Sequence, residues 1–148
     1  MAREVLFADP RQNLEDVARR MITEDIGFMP VIEDGRLIGV LTDRDMAVRG
    51  FTDNMSGANL VRDVMSIDAA HCLDEDDVGA AIKMMAELKI RRLPVLDRDE
   101  RLVGVIALAD LISSEPAALA ALKTIMTPGP PHSQIADLDP VGTAGHRF

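Results

Sequence analysis

The sequence predicts a mixed α+β (α/β) fold made of two pseudo-symmetric βαββα repeats packed sheet to sheet. Similar segments occur twice: Pro-Val pairs begin at Pro30 and Pro94, 64 residues apart, and glycine-centred apolar segments surround Gly39 and Gly104, 65 residues apart. Each copy passes from a helical to a strand-like pattern, and 148 residues suffice for two small halves. Because one repeat cannot cover both faces of its sheet, we expect the two repeats to bury one shared core.

Each repeat contains an amphipathic helix. Apolar residues recur at i, i+3, i+4 and i+7, the spacing of one helix face. The two sets are Leu14, Val17, Ala18, Met21 and Val78, Ala81, Ile82, Met85. The acidic run at 74–77 precedes the second helix, where negative charge favours the positive end of the helix dipole. We expect a short strand before each helix, at residues 5–7 and 69–72.

A β-hairpin follows each helix. Asp34 and Gly35 favour a two-residue type I′ turn, which needs positive φ at both positions. This turn would join a strand around Pro30 to a strand over 37–41.

Three further helices are expected. A helix over 43–49 closes the first repeat, and a short connecting helix lies within 59–65. A last helix begins at Ser114-Glu115-Pro116, where a capping hydroxyl precedes a first-turn proline, and ends at Met126.

These boundaries give four segments. We expect the first repeat at 1–55, the second at 56–114, a C-terminal helix at 115–126 and a loose Pro- and Gly-rich tail at 127–148.

Charge and composition exclude several classes of partner. The net charge is −9, from 16 basic and 25 acidic residues, so we expect neither nucleic acid nor an anionic membrane as partner. The single cysteine, Cys72, cannot form an intrachain disulfide. The first ten residues do not look like a signal peptide, and no apolar run is long enough for a membrane span. The expected location is the cytoplasm.

The segment from Gly39 to Asp45 is the strongest candidate binding site. It is the end of a strand turning into a helix, where free amides and the helix dipole attract phosphate. Thr42 can donate a hydrogen bond to a phosphate or sugar oxygen, and Asp45 can accept from both hydroxyls of a ribose. Gly39 would let the backbone approach a flat ring. The alternative is structural: Thr-x-x-Asp is close to a capping box, and the spacing alone favours that role.

The doubled order of these segments resembles the cystathionine-β-synthase (CBS) domain family, in which two copies pair into a Bateman module. The resemblance rests on the two Pro-Val segments, the strand leading to Thr42 and Asp45, and the segment Asp63-Val64-Met65-Ser66. It covers most of residues 5–112. It implies a stand-alone regulatory module, not an enzyme, that binds AMP, ATP, NAD or S-adenosylmethionine between its repeats. It also implies a homodimer, a change of shape or assembly on binding, and an unknown regulated protein.

The resemblance also assigns roles to individual residues. Asp45 would hold the ribose and Thr42 a phosphate or sugar oxygen, while Val40 and Ala70, the latter from the opposite repeat, would line the purine slot. The expected ligand-contacting set is Gly39, Val40, Thr42, Arg44, Asp45, Ala70, Arg92 and Asp110.

The second copy departs from this pattern. Asp110 is retained, but Ala107 replaces the hydroxyl. By resemblance Arg92 contacts phosphate; the alternative is that it is a solvated charge, which we favour for Arg91. We therefore expect a stronger site at Thr42 and Asp45 and a weaker or empty one at Asp110.

Two rival functions stay open. A structural homodimerisation module with a decayed ligand site is favoured by Ala107. A small enzyme could use Asp43 and Asp45 as acid and base, although nothing places a nucleophile or metal beside them. No metal site is expected, because His71 and Cys72 would point to opposite faces of a strand. Cys72 is expected to be a buried small residue.

Overall fold

The computed structural model describes residues 5–127, which form two three-stranded sheets with helices. The mixed α+β class is therefore confirmed. The elements in chain order are α1 (Leu14–Thr23), β1 (Phe28–Glu33), β2 (Arg36–Thr42), α2 (Asp43–Thr52), α3 (Val61–Val64), β3 (Ser66–Ile67), β4 (Cys72–Leu73), α4 (Val78–Leu88), β5 (Arg92–Leu96), β6 (Leu102–Ala107), α5 (Leu108–Leu111) and α6 (Pro116–Met126). The expected tail at 127–148 lies, apart from Thr127, outside the described residues.

The first sheet has the order β1-β2-β3. β1 and β2 form the expected antiparallel hairpin, and its turn residues have positive φ, 51° at Asp34 and 80° at Gly35. The turn chemistry is therefore confirmed. β3 comes from the connecting segment and pairs antiparallel with β2.

The second sheet has the order β4-β5-β6, with β4 parallel to β5 and β5 antiparallel to β6. The strand expected at 69–72 begins only at Cys72. The strand expected at 5–7 is wrong: instead, Ala8 forms a single parallel bridge with Val31. The N-terminal segment thus lies beside β1 in the position that β4 occupies beside β5, but a single bridge pairs it with β1.

The core is the main correction to the sequence analysis, because the buried residues form two clusters and not one. The first comprises Ala8, Leu14, Val17, Met21, Met29, Val31, Leu41, Val61 and Val64. The second comprises Cys72, Ala81, Ile82, Met85, Leu93, Val95, Leu108, Ala118 and Ala121. Each sheet therefore packs one face against its own helices, and the sheets separate the two clusters.

The other face of β1 and of β5 is buried too. Pro30 and Ile32 alternate with the first-cluster residues of β1, and Pro94 and Leu96 do the same in β5. Since successive strand residues point to opposite faces, these four lie on the faces turned away from the helices. Their burial is what packing of sheet against sheet requires.

Segments outside the hairpins complete the clusters. Val61 and Val64 of α3 join the first cluster, and Ala118 and Ala121 of α6 join the second. We therefore call residues 5–67 the first half and residues 70–127 the second half. The repeat boundary that the sequence places after residue 55 stays a prediction.

Two local expectations are wrong. The N-cap of α6 is Glu115, without a side-chain cap, while the Ser114 hydroxyl bonds to the carbonyl of Leu111. Pro116 is the first helical residue, as expected. Val78 is 38% exposed, because the first residue of α4 lies beyond the edge of the core. No helix within residues 5–127 has the length and apolar character needed to cross a membrane.

The hairpin tips join the two halves. Arg36, at the start of β2, donates to Glu100 over 3.0 Å, and a backbone bridge pairs Arg36 with Arg101. This is the one ion pair between the halves in the described part of the chain, and both side chains are about two-thirds exposed. An exposed pair of this kind contributes about 0–1 kcal/mol, so the hairpin tips are not rigidly locked.

Two glycines give a matched test of the packing of β3 against β2. A Cβ at Gly39 would clash with the carbonyl oxygen of Ser66 in β3, whereas a Cβ at Gly50 in α2 meets no atom within 4 Å. We expect Gly39→Ala to lower the free energy of unfolding by about 1–3 kcal/mol through overpacking. Gly50→Ala should raise it by about 0.5–1 kcal/mol through helix propensity.

Urea unfolding followed by far-ultraviolet circular dichroism measures both variants, since the chain has neither Trp nor Tyr. Equal stability of the two variants would contradict the close approach of β3 to β2.

Candidate functional site

Thr42 and Asp45 join the end of β2 to the start of α2 through two reciprocal hydrogen bonds. The amide of Asp45 donates to the Thr42 hydroxyl over 3.0 Å, and the amide of Thr42 donates to Asp45 Oδ2 over 3.1 Å. This is a capping box, as the spacing predicted, and whether the two residues also contact a ligand stays a prediction. Both residues are half-buried.

A second set of hydrogen bonds ties this junction to β3. The hydroxyl of Ser66 donates to Asp45 Oδ1 over 3.4 Å. Arg49, one turn further along α2, donates to the carbonyl of Met65 over 2.7 Å, to the carbonyl of Val64, and to the Ser66 hydroxyl over 3.3 Å. The carboxylate of Asp45 is therefore held in place by groups from both β2 and β3.

Ser66 and Arg49 belong to the site but were not predicted from the sequence. Ser66 belongs to the segment Asp63-Val64-Met65-Ser66 that carried part of the family resemblance, and this was the available signal. Arg49 gave only the weak signal of a basic residue in the last turn of a helix. Both residues form hydrogen bonds with groups about 15–21 positions away in the sequence.

Gly39 lies directly against β3. It is buried, pairs with Ile67 of β3, and has no room for a Cβ because of the carbonyl of Ser66. The close approach that needs glycine here is therefore to a protein strand. A role of Gly39 toward a flat ring stays a prediction.

The other first-half residues lie beside this junction. Val40 is half-buried and pairs with Pro30 on one side and with Ser66 on the other. Arg44 is exposed in the first turn of α2, where its amide donates to the side chain of Asp43. The structure thus brings Val40, Thr42, Asp45 and Ser66 together.

The remaining expected residues lie in the second half. Arg92 and Ala107 are partners across the antiparallel pair β5–β6, as Phe28 and Thr42 are across β1–β2. Compared with the first junction, the second lacks a hydroxyl at Ala107 and has a guanidinium at Arg92, and these two residues are cross-strand neighbours. Asp110 is exposed in α5, and half-buried Ala70 packs against the second cluster.

The absence of the hydroxyl has a visible structural counterpart. Ala107 is the N-cap of α5 and provides no side-chain hydrogen bond, and α5 has 4 residues. The corresponding α2, capped by Thr42, has 10 residues. The two strand–helix junctions are thus unequal in structure, while their unequal affinity stays a prediction.

Two surface cavities lie outside the hydrogen-bonded pair Thr42 and Asp45, and Asp43, the first residue of α2, lines one of them. One, of about 600 Å³, is an apolar groove between α1 and α2, lined in part by Met21, Ile22 and Met46. The other, of about 580 Å³, is polar and lies between the hairpin turns, beside Arg36 and Glu100. Neither Thr42 nor Asp45 lines either of them.

Cys72 is confirmed as a buried small residue, 3% exposed, in the second cluster. Burial raises the pKa of its thiol, and the negative charge of Asp76 adds to the effect. Such a thiol is a poor nucleophile at neutral pH. Its neighbour His71 is exposed, with Nδ1 3.2 Å from the carbonyl of Ala69. Within residues 5–127 no three His, Cys, Asp or Glu side chains lie close enough to hold a metal ion.

Comparison with known proteins identifies relatives over most of the chain. The family model for the CBS domain matches residues 1–49 and 61–116. The CBS domain-containing protein YhcV of Bacillus subtilis is 37% identical over 111 residues, which cover 75% of this chain and 79% of that protein.

Solved structures share the fold at lower identity. CBSX2 in complex with AMP has a TM-score of 0.64 and 24% identity, covering 84% of this chain and 91% of that one. The CBS domain pair of protein MJ0100, in complex with 5′-methylthioadenosine and S-adenosyl-L-methionine, has a TM-score of 0.67 and 20% identity. That match covers 76% of this chain and 92% of the other.

The capping role of Thr42 can be measured directly. Thr42→Ala removes the oxygen that accepts from Asp45 N, and we expect it to lower the free energy of unfolding by about 0.5–2 kcal/mol. Thr42→Ser keeps the hydroxyl and serves as the matched control, with a smaller loss. A Thr42→Ala protein as stable as the wild type in urea would show that the cap contributes nothing.

The second junction permits the converse experiment. Ala107→Thr supplies the missing hydroxyl at the N-cap of α5, with Asp110 already three residues further on. We expect a gain of about 0.5–1 kcal/mol in the free energy of unfolding. Ala109→Thr, at an exposed position inside α5, should give no gain. If both variants behave alike in urea unfolding, the explanation for the short α5 fails.

Proposed function

This chain belongs to the CBS domain family, and from that premise we propose a regulatory module that binds an adenosine nucleotide or related adenosyl ligand at the β2–α2 junction. The observation that carries the proposal is the carboxylate of Asp45, half-buried and fixed from two strands. No catalytic step is assigned to it.

The fixed carboxylate retains capacity for a ribose. A carboxylate has about four acceptor positions, and protein groups use one on each oxygen of Asp45. The two remaining positions match the adjacent 2′- and 3′-hydroxyls of a ribose. Because the carboxylate is already held, binding would cost little side-chain entropy.

The phosphate end of the ligand would meet different groups. The hydroxyl of Thr42 accepts from Asp45 N, and its proton has no acceptor among residues 5–127, so it can donate to a phosphate oxygen. The start of α2 adds the positive end of its dipole and the exposed cation of Arg44. Arg92, exposed at the start of β5, is the proposed phosphate contact from the second half.

The base would lie against the apolar part of the site. Val40 stands on the face of β2 turned away from the α1–α2 helices, and we propose that it lines the purine slot with Ala70. AMP, ATP, NAD and S-adenosylmethionine all carry the adenosine that these groups would recognise. Structures of the same fold in complex with AMP and with S-adenosyl-L-methionine support this ligand class.

The module would report its occupancy by changing shape or assembly. A ligand shifts such an equilibrium only by its difference in affinity for the two states. Thr42 lies about 20 Å along β2 from Arg36, taking roughly 3.3 Å per residue. Ligand at one end could therefore turn the halves about the weakly joined hairpin tips at the other. We further propose a cytoplasmic homodimer that acts on another, unidentified protein.

A structural homodimerisation module with a decayed ligand site is the second candidate. It is favoured by the hydrogen bonds that Thr42 and Asp45 already make to each other, and by Ala107 in the second junction. In that case the capping box would be the entire role of the two residues.

Calorimetric titration separates the two candidates. Protein freed of co-purified small molecules is titrated with AMP, ATP, NAD and S-adenosylmethionine, and we expect at least one to bind. Asp45→Asn should weaken that binding by at least about fivefold, about 1 kcal/mol, because it removes charge-assisted hydrogen bonds.

Asp110→Asn, the same change at the second junction, is the matched control and should alter the affinity less. No binding of any of the four ligands would favour the structural module. Binding that Asp45→Asn leaves unchanged would refute the ribose assignment.

A further inference from the structure

The groove between α1 and α2 is an open apolar surface in the first half. Its floor includes Met21, Ile26 and Met46, and Ile22 on its edge is 81% exposed. Two carboxylates, Asp25 and Asp43, also line it, and neither takes part in an ion pair within the described residues. The groove is thus apolar, with two carboxylates that have no ion-pair partner among residues 5–127.

The second half contains the counterpart of this groove, and there it is filled. The corresponding residues, 64 or 65 positions later in the sequence, are Met85, Ala86, Ile90 and Leu111, and all belong to or pack on the second cluster. The helix that covers them is α6, through Ala118, Ala121, Leu122 and Ile125 at i, i+3, i+4 and i+7. The fold therefore shows that an Ala- and Leu-rich helix fits a groove of this kind.

α6 presents a second face that its own half does not use. Leu119 is 44% exposed and Met126 is 69% exposed, with exposed Lys123 between them. The spacing i, i+4, i+7 places the three side chains on one side of the helix. This face has apolar groups at its two ends and a cation in the middle, and Lys123 forms no ion pair within residues 5–127.

We propose that the outer face of α6 in one copy of this chain docks into the α1–α2 groove of a second copy. Leu119 and Met126 would pack on the apolar floor, and Lys123 would approach Asp25 and Asp43. This inference deepens the homodimer of the proposed function and rests on it. Charge complementarity selects a second copy as the occupant: in the described part of the chain, neither the two carboxylates of the groove nor the ammonium group of Lys123 forms an ion pair.

The proposed dimer is a closed one. A groove that receives a helix is a heterologous contact, and it ends at two copies only when a two-fold axis lets each copy give its α6 and receive the partner's. The proposal therefore includes this two-fold axis. The dimer also removes from water Ile22, Leu119 and Met126, which are among the exposed large apolar side chains of the chain.

Charge reversal tests this contact by sedimentation velocity over a range of protein concentrations. Lys123→Glu should raise the dimer dissociation constant at least about tenfold, because a close charge pair becomes repulsive. Asp25→Lys should act in the same direction. The fold accepts lysine there, since the counterpart Lys89 has φ 54° where Asp25 has φ 53°. The double variant should recover most of the wild-type affinity.

Lys83→Glu is the charge-matched control. It reverses an exposed lysine on α4 whose ion pair with Glu87 is weak, and it should leave the dimer unchanged. Circular dichroism confirms that each variant is folded. Nucleotide titration of the same samples separates the two proposals, because the variants lie outside the ligand-contacting set.

A wild-type dimer weakened by both single variants and restored by their combination supports the contact. A dimer that Lys123→Glu and Lys83→Glu affect equally overturns it. A wild-type chain that stays monomeric overturns it together with the homodimer, while ligand binding in the same samples would leave the nucleotide proposal standing.

Discussion

The reciprocal hydrogen bonds between Thr42 and Asp45 are the constraint on which the rest of the first half depends. They end β2 and begin α2 at one point, and they fix the carboxylate that Ser66 of β3 also contacts, while Arg49 holds Ser66. Under the proposed function, folding and binding are therefore not separate demands on these residues. A carboxylate held by its own backbone for structural reasons is also one that needs no rearrangement to accept a ligand.

The second half shows what the same scaffold does without that constraint. Ala107 gives α5 no side-chain cap, α5 ends after 4 residues, and the chain turns to form α6. The exposed Arg92 stands across from Ala107, where the first half has Phe28 across from Thr42. The two halves thus share the hairpin and the strand–helix order, and they differ at two paired positions in the side-chain cap and in the charge.

The sequence predicted the local structural features well. The Asp34–Gly35 turn, the helix faces and the capping box each depend on residues within about four positions of one another, so a single segment contains the whole signal. The two separate cores depend instead on which layer covers which face, and that is settled by packing between distant segments. Ser66 and Arg49 were not predicted because their hydrogen-bond partners lie 15–21 residues away in the sequence.

The cap that the sequence predicted at Ser114 was wrong, because α6 begins one residue later with Glu115 as N-cap and the Ser114 hydroxyl donates to the carbonyl of Leu111. That turn, with Glu115 as N-cap, lets α6 lie along α4 and close the second groove. Among residues 5–127 no such helix covers the groove of the first half, so the two halves expose different surfaces although both contain the same hairpin. Within the same residues neither the carboxylates of the groove nor Lys123 of α6 forms an ion pair. A duplicated chain that diverges in this way contains the two sides of an interface, and a second copy can use both.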